Sequence, residues 1–157
     1  MGARELILVR HGESTANVAA TAAERAGAEV VDAPLRDADV PLSEVGVRQA
    51  SAVGVWLRSV ADDEFPDALW CSPYLRALNT ATIAATDQRM PLPPRIDERL
   101  RDRELGILDT LTHRGVAARL PQEDARRTRL GKFYYRPPGG ESWADVALRV
   151  RSLLDEL

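Results

Sequence analysis

Two residue types are nearly missing from this 157-residue chain: it has one cysteine, Cys71, and two histidines, His11 and His113. A lone cysteine excludes an internal disulfide framework. Lysine is as scarce, with Lys132 the only one among 21 basic residues. No apolar run approaches the roughly 20 residues of a membrane span. No basic segment followed by a long apolar stretch opens the chain, so no signal peptide is read there. Together these absences point to a reducing, cytoplasmic setting. There is no Cys/His cluster for zinc and no repeated carboxylate loop for calcium. No Gly-rich dinucleotide fingerprint occurs, and Gly131-Lys132 lacks the earlier glycine of a P-loop. Neither a metal nor a cofactor is expected. Internal repeats and low-complexity linkers are missing too, and the length fits one domain over residues 1–157.

What is present is ordinary for a globular protein, with 45% hydrophobic residues and a net charge of -3. That charge argues against nucleic acid as a partner. Its distribution is uneven. Residues 1–94 carry 8 basic and 13 acidic side chains, whereas residues 95–136 carry 11 basic and 7 acidic. The bases are almost all arginine, whose planar fork grips phosphate oxygens. Arg126, Arg127 and Arg129 either meet an acidic group or coat a solvated helix.

Glu5 to Val9 reads as a short buried strand and Ser14 to Ala26 as the helix after it. Gly27 to Pro41 is acidic and irregular, with Pro34 and Pro41 as breakers. Ser43 is a plausible N-cap for a helix carrying Val47, Ala50, Val53, Leu57 and Val60. Ala68 to Cys71 reads as a second strand. Ser72-Pro73 opens a helix that carries Leu75, Leu78, Thr82 and Ala85, with Pro73 in its first turn. Met90 to Pro94 breaks the chain before a third strand over Arg95 to Leu100. Thr112 to Leu130 looks helical with an interruption at Pro121, and Pro137 to Gly140 is a hard stop. Ser142 and Asp145 match a capping box for the last helix, with Val146, Val150, Leu153 and Leu157 as its stripe. Alternating strands and helices predict an α/β fold with a mainly parallel sheet.

Arg10-His11-Gly12 places a guanidinium and an imidazole at the end of the first strand. A neutral imidazole nitrogen attacks phosphorus, and positioned arginines stabilise the charge that spreads over the phosphoryl oxygens. Gly12 permits close backbone approach to an anion. A histidine that merely closes a strand gives the same three letters. Ser72 to Ala81 repeats the arrangement, with Arg76 in the first turn of a helix whose N-terminus favours an anion.

Leu8-Val9-Arg10-His11-Gly12-Glu13-Ser14 with Asn17, then Pro41-Leu42-Ser43-Glu44-Val45-Gly46-Val47-Arg48-Gln49-Ala50, resembles the histidine phosphatase superfamily, the group that includes phosphoglycerate mutase. Ser72 to Ala81, Leu100 to Gly106, and Gly139-Gly140-Glu141-Ser142 with Asp145 and Arg149 resemble further family motifs. The resemblance implies a mostly parallel central sheet flanked by helices on both faces. It implies a phosphomonoester phosphatase with His11 as the phosphorylated nucleophile; alternatives are a phosphoglycerate-type mutase or an inactive phosphate-binding domain. Arg10 and Arg76 match the phosphate clamp and Asn17 a further phosphate contact. The leaving-group acid falls at Asp102, where the family more often has glutamate, and Glu104 is the reserve. The implied partner is a small phosphorylated metabolite.

The family carries a second histidine after a late strand beyond the helix that starts near Ser142. Leu157 lies within that helix, and His113 stands in a polar helix start or loop instead. The expectation is therefore a C-terminally short domain with an exposed sheet edge. A truncated chain, a short form whose edge a partner or second copy covers, and a degenerate relative all fit.

Overall fold

The computed structural model describes residues 4–33, 36–86 and 93–157. It packs as two compact units: residues 4–18 and 36–101 form one, and residues 19–33 and 102–157 form the other. The predicted breakers Pro34 and Met90 to Leu92 lie outside the described residues.

In the first unit, helix α2 (Glu44–Ser59) and helix α3 (Leu75–Ala84) form the main packing pair. Between them in sequence lies strand β1 (Trp70–Cys71), which pairs in parallel with β2 (Arg95–Ile96) through Trp70↔Arg95 and Cys71↔Ile96. This is the parallel α/β pairing expected of the sequence. Ser43 caps α2 by accepting a hydrogen bond from Gly46 N at 3.1 Å.

On α2 the apolar spacing finds the buried side in part: Ala50 and Leu57 are buried together with Gly46 and Gly54, Val53 and Val60 are half-buried, and Val47 is exposed. Glycine lets the helix lie against neighbouring backbone: a β-carbon at residue 54 meets Ala84 O at 3.0 Å. On α3 the buried face is Arg76, Thr80 and Ala84, not Leu75 and Thr82. Arg76 and Thr80 tolerate burial because their polar atoms are hydrogen-bonded.

Three further expectations need correction. Glu5 to Val9 is not a strand: it has no ladder partner among the described residues, and Leu8 is 90% exposed. A strand needs a neighbour to satisfy its backbone groups. Pro73 precedes α3 rather than occupying its first turn, because Tyr74 is the residue that leads into the helix. The third strand stops at Ile96, where the Asp97 side chain accepts from Arg99 N and starts a tight turn over Glu98–Leu100.

Helix α1 (Thr15–Ala26) begins in the first unit and ends in the second. The second unit also holds α4 (His113–Arg119), α5 (Pro121–Tyr134) and α6 (Trp143–Leu154). Leu108, Val116 and Tyr135 form its buried core, with Leu111 and Leu120 against them. Thr112 caps α4 through Gly115 N and donates its hydroxyl proton to Ala28 O at 2.6 Å. Pro121 sits at the start of α5, as its fixed φ allows. The capping box at Ser142 and Asp145 forms as the sequence predicts.

Candidate active site

The histidine loop is shaped by contacts on three sides. Its own backbone sets the imidazole: His11 Nδ1 lies 2.7 Å from Gly12 O. A carbonyl only accepts, so Nδ1 carries a proton, and in the neutral tautomer that this contact selects the lone pair is on Nε2. The ring is half-buried, and Arg10 beside it is exposed.

Helix α3 holds the loop from one side. Gly12 N donates to Thr80 Oγ1 at 3.0 Å, and the same hydroxyl donates to Arg76 O at 2.7 Å. Thr80 thus ties the residue after His11 to the arginine one helical turn earlier.

Helix α2 holds it from another side. A β-carbon at residue 12 meets Gly46 O at 2.4 Å, and one at residue 46 meets Glu13 O at 2.0 Å. Glu13 N donates to Gln49 Oε1 at 2.8 Å, and Ser43 Oγ donates to Glu13 Oε1 at 2.6 Å. Ser14 pairs with Leu42 in an isolated antiparallel bridge.

The start of α1 completes the loop. Ser14 N donates to Asn17 Oδ1 at 3.0 Å, and Asn17 N donates to Ser14 Oγ at 3.2 Å. This reciprocal pair leads the chain from the histidine directly into a helix N-terminus. The first turn of α1 holds no acidic residue, and neither does that of α3. Both helix starts therefore keep the positive end of their dipole for an anion.

Arg76 is buried, with its side chain 6% exposed, and its guanidinium lies 4.9 Å above the Tyr74 ring. Asp37, in a short 3-10 turn over Asp37–Asp39, accepts from it at both carboxylate oxygens.

Of the sequence-predicted residues, His11, Arg10, Asn17 and Arg76 belong to the first unit. Asp102 and Glu104 belong to the second and are exposed there. The Asp102 carboxylate accepts from Arg103 N at 2.7 Å, and its carbonyl accepts from Arg149 at 3.1 Å. Glu104 N donates to Glu141 Oε2, while Arg149 grips both oxygens of Glu141 at 3.0 and 3.1 Å. A β-carbon at Gly140 meets Glu104 O at 2.6 Å, so the acid-bearing segment lies directly on the glycine turn before α6. His113 is the exposed first residue of α4. On α5, Arg126 pairs with Glu123 at 3.6 Å, and Arg126 and Arg129 are exposed.

Sequence reasoning gave no role at the site to Thr80, Asp37 or the trio of Glu13, Ser43 and Gln49, although all but Asp37 stand in the motifs quoted above. Thr80 had a signal, since it stands one helical turn after Arg76. Asp37 had none, because only folding brings it to residue 76.

Residues 6–157 match the family model for the histidine phosphatase superfamily (branch 1). Among the relatives is the glucosyl-3-phosphoglycerate phosphatase of Mycobacterium tuberculosis, 34% identical over 100% of this chain and 61% of that protein. Another is the 2,3-bisphosphoglycerate-dependent phosphoglycerate mutase of Methylobacterium radiotolerans, 33% identical over 94% of this chain and 63% of that protein. A solved mycobacterial glucosyl-3-phosphoglycerate phosphatase, in complex with VO3, superimposes with a TM-score of 0.69 at 33% identity. That match covers 94% of this chain and 64% of the other. The chain spans less than two thirds of the length of these curated relatives.

Proposed function

The chain belongs to the histidine phosphatase superfamily, and on that premise we propose that it is a phosphomonoester phosphatase working through a phosphohistidine on His11. The observation that carries this reading is the contact between His11 Nδ1 and Gly12 O, which leaves Nε2 as the nucleophile. In the first step Nε2 bonds to phosphorus while the ester P–O bond breaks, and the departing oxygen takes a proton from an acid. In the second step water attacks phosphorus and gives a proton to the conjugate base of that acid, the P–N bond breaks, and inorganic phosphate leaves.

Arg10 and Arg76 are the proposed phosphate clamp, their charge opposing that on the equatorial oxygens. Asn17 is proposed as a further phosphate contact. The acid is assigned to Asp102, with Glu104 in reserve, on the sequence motif alone. The substrate is a small phosphorylated metabolite, and the single buried cysteine fits a cytoplasmic compartment.

A mutase is the second reading, favoured by the relative that is itself a phosphoglycerate mutase. Para-nitrophenyl phosphate hydrolysis by the wild type and His11→Ala tests the first. The variant is expected to lose turnover, and the wild type is expected to yield an acid-labile, alkali-stable phosphoprotein on alkaline quench. Equal rates in the two proteins would sink it. Isomerisation of a phosphoglycerate without phosphate release would favour the mutase, and vanadate binding without turnover a binding domain.

A further inference from the structure

Asp37 and Arg76 form a pair that the proposed chemistry does not use. Arg76 Nη1 donates to Asp37 Oδ1 at 2.8 Å and to Asp37 O at 2.7 Å, and Nη2 donates to Oδ2 at 3.2 Å. The two partners differ in their access to water. The guanidinium side chain is 6% exposed, whereas the Asp37 side chain is 45% exposed. A buried cation needs a counter-charge, since left uncompensated it is strongly destabilising. An exposed carboxylate has no such need, because water solvates it well.

The carboxylate comes from a short turn rather than from a packed element. The Asp37–Asp39 turn has no buried residue, and the nearby pair of Arg36 with Asp39 at 3.0 Å is solvent-exposed. Arg76 itself is held: it lies on the buried face of α3, stacks over Tyr74, and is joined through its carbonyl and Thr80 to Gly12. The pair thus joins an immobile cation to a surface anion.

We propose that Asp37 is an internal counter-anion that neutralises Arg76 until a phosphoryl group arrives and competes with that group for the guanidinium. This rests on the reading of Arg76 as a phosphate ligand. Oxyanion binding then exchanges one anion for another at a buried arginine. The exchange keeps the cation compensated in both states and lowers net affinity by the free energy of releasing Asp37. Product phosphate would be held less tightly for the same reason.

Orthovanadate and inorganic phosphate titrations of the wild type and Asp37→Asn, followed by calorimetry and by thermal melting, test the exchange. Asp37→Asn is expected to melt lower without ligand and to bind either oxyanion severalfold to about tenfold more tightly, the range set by one charge-assisted hydrogen bond to a half-exposed partner. Its melting temperature is expected to rise more on adding vanadate than that of the wild type. Unchanged or weaker binding in the variant would overturn the proposal and make Asp37 a residue that orients Arg76. Should the variant not fold, the 13C resonance of the Asp37 carboxylate in the wild type is followed instead. It is expected to shift on saturation with vanadate, and an unmoved resonance would overturn the idea. A wild type that binds neither oxyanion would defeat the reading of Arg76 itself, a result distinct from both.

Discussion

Gly12 and Gly46 approach so closely that a β-carbon on residue 12 would stand 2.4 Å from Gly46 O. The reverse substitution is tighter still, with 2.0 Å between a β-carbon on residue 46 and Glu13 O. Backbone, not a flexible side chain, blocks both sites. Gly46→Ala is therefore expected to lose about 2 kcal/mol or more, the cost of overpacking a closed interior. Urea unfolding measures the loss, and unchanged stability would show that α2 is free to retreat from the histidine loop.

Thr80 is the link between Gly12 and Arg76. Thr80→Val keeps the shape and removes the hydroxyl, leaving the buried Gly12 N without its acceptor. A loss of about 1–3 kcal/mol is expected from that unsatisfied buried donor. If the loop holds the imidazole, turnover of para-nitrophenyl phosphate falls as well. Thr80→Ser restores the hydroxyl and is expected to recover most of that rate.

The proton donor is separable by leaving group. Asp102→Asn is expected to slow hydrolysis of an alkyl phosphate by about 10²–10⁴-fold, the usual contribution of a positioned acid. The effect on para-nitrophenyl phosphate is expected to be small, since that leaving group departs without protonation. The same pattern in Glu104→Gln, and not in Asp102→Asn, would move the role to Glu104.

Asp145 sets an acid limit. Hydrogen bonds from the Ser142 side chain and backbone and from Arg136 hold its carboxyl down at about 2. A carboxylate whose pKa is depressed by folding stabilises the native state above its unfolded pKa of about 3.9. That contribution is expected to fade as pH falls from about 4 toward 2. Melting temperatures across this range are expected to drop more steeply for the wild type than for Asp145→Asn, which has no such proton to gain.

Cys71 lies buried at the β1 pairing, where burial pushes its thiol up. It is expected to react slowly with a disulfide reagent at pH 8 in the native protein and rapidly in denaturant. Fast native labelling would mean that β1 opens readily.

Local chemistry in the sequence specified the ends of elements. Ser43, Thr112 and Ser142 cap their helices because a short side-chain oxygen reaches backbone N–H groups two or three residues on. Pro121 starts α5 for an equally local reason, its fixed φ. The order of Arg10-His11-Gly12, Asn17, Arg76 and the motif around Asp102 was enough to recognise the family.

Tertiary structure decided which faces were buried and which charges met. Leu75 and Thr82 face outward because α3 buries Arg76 and Thr80, and their burial depends on partners 39 and 68 residues away. Glu5 to Val9 has the composition of a strand, yet a strand exists only where another backbone accepts its hydrogen bonds, which composition does not encode. Glycine carried information that apolar spacing ignored: Gly12, Gly46 and Gly54 are buried because they let backbones touch. The family was legible from the order of the motifs along the chain. The counter-charge on Arg76 was not, because it arises only when a distant acidic turn folds against the buried face of α3.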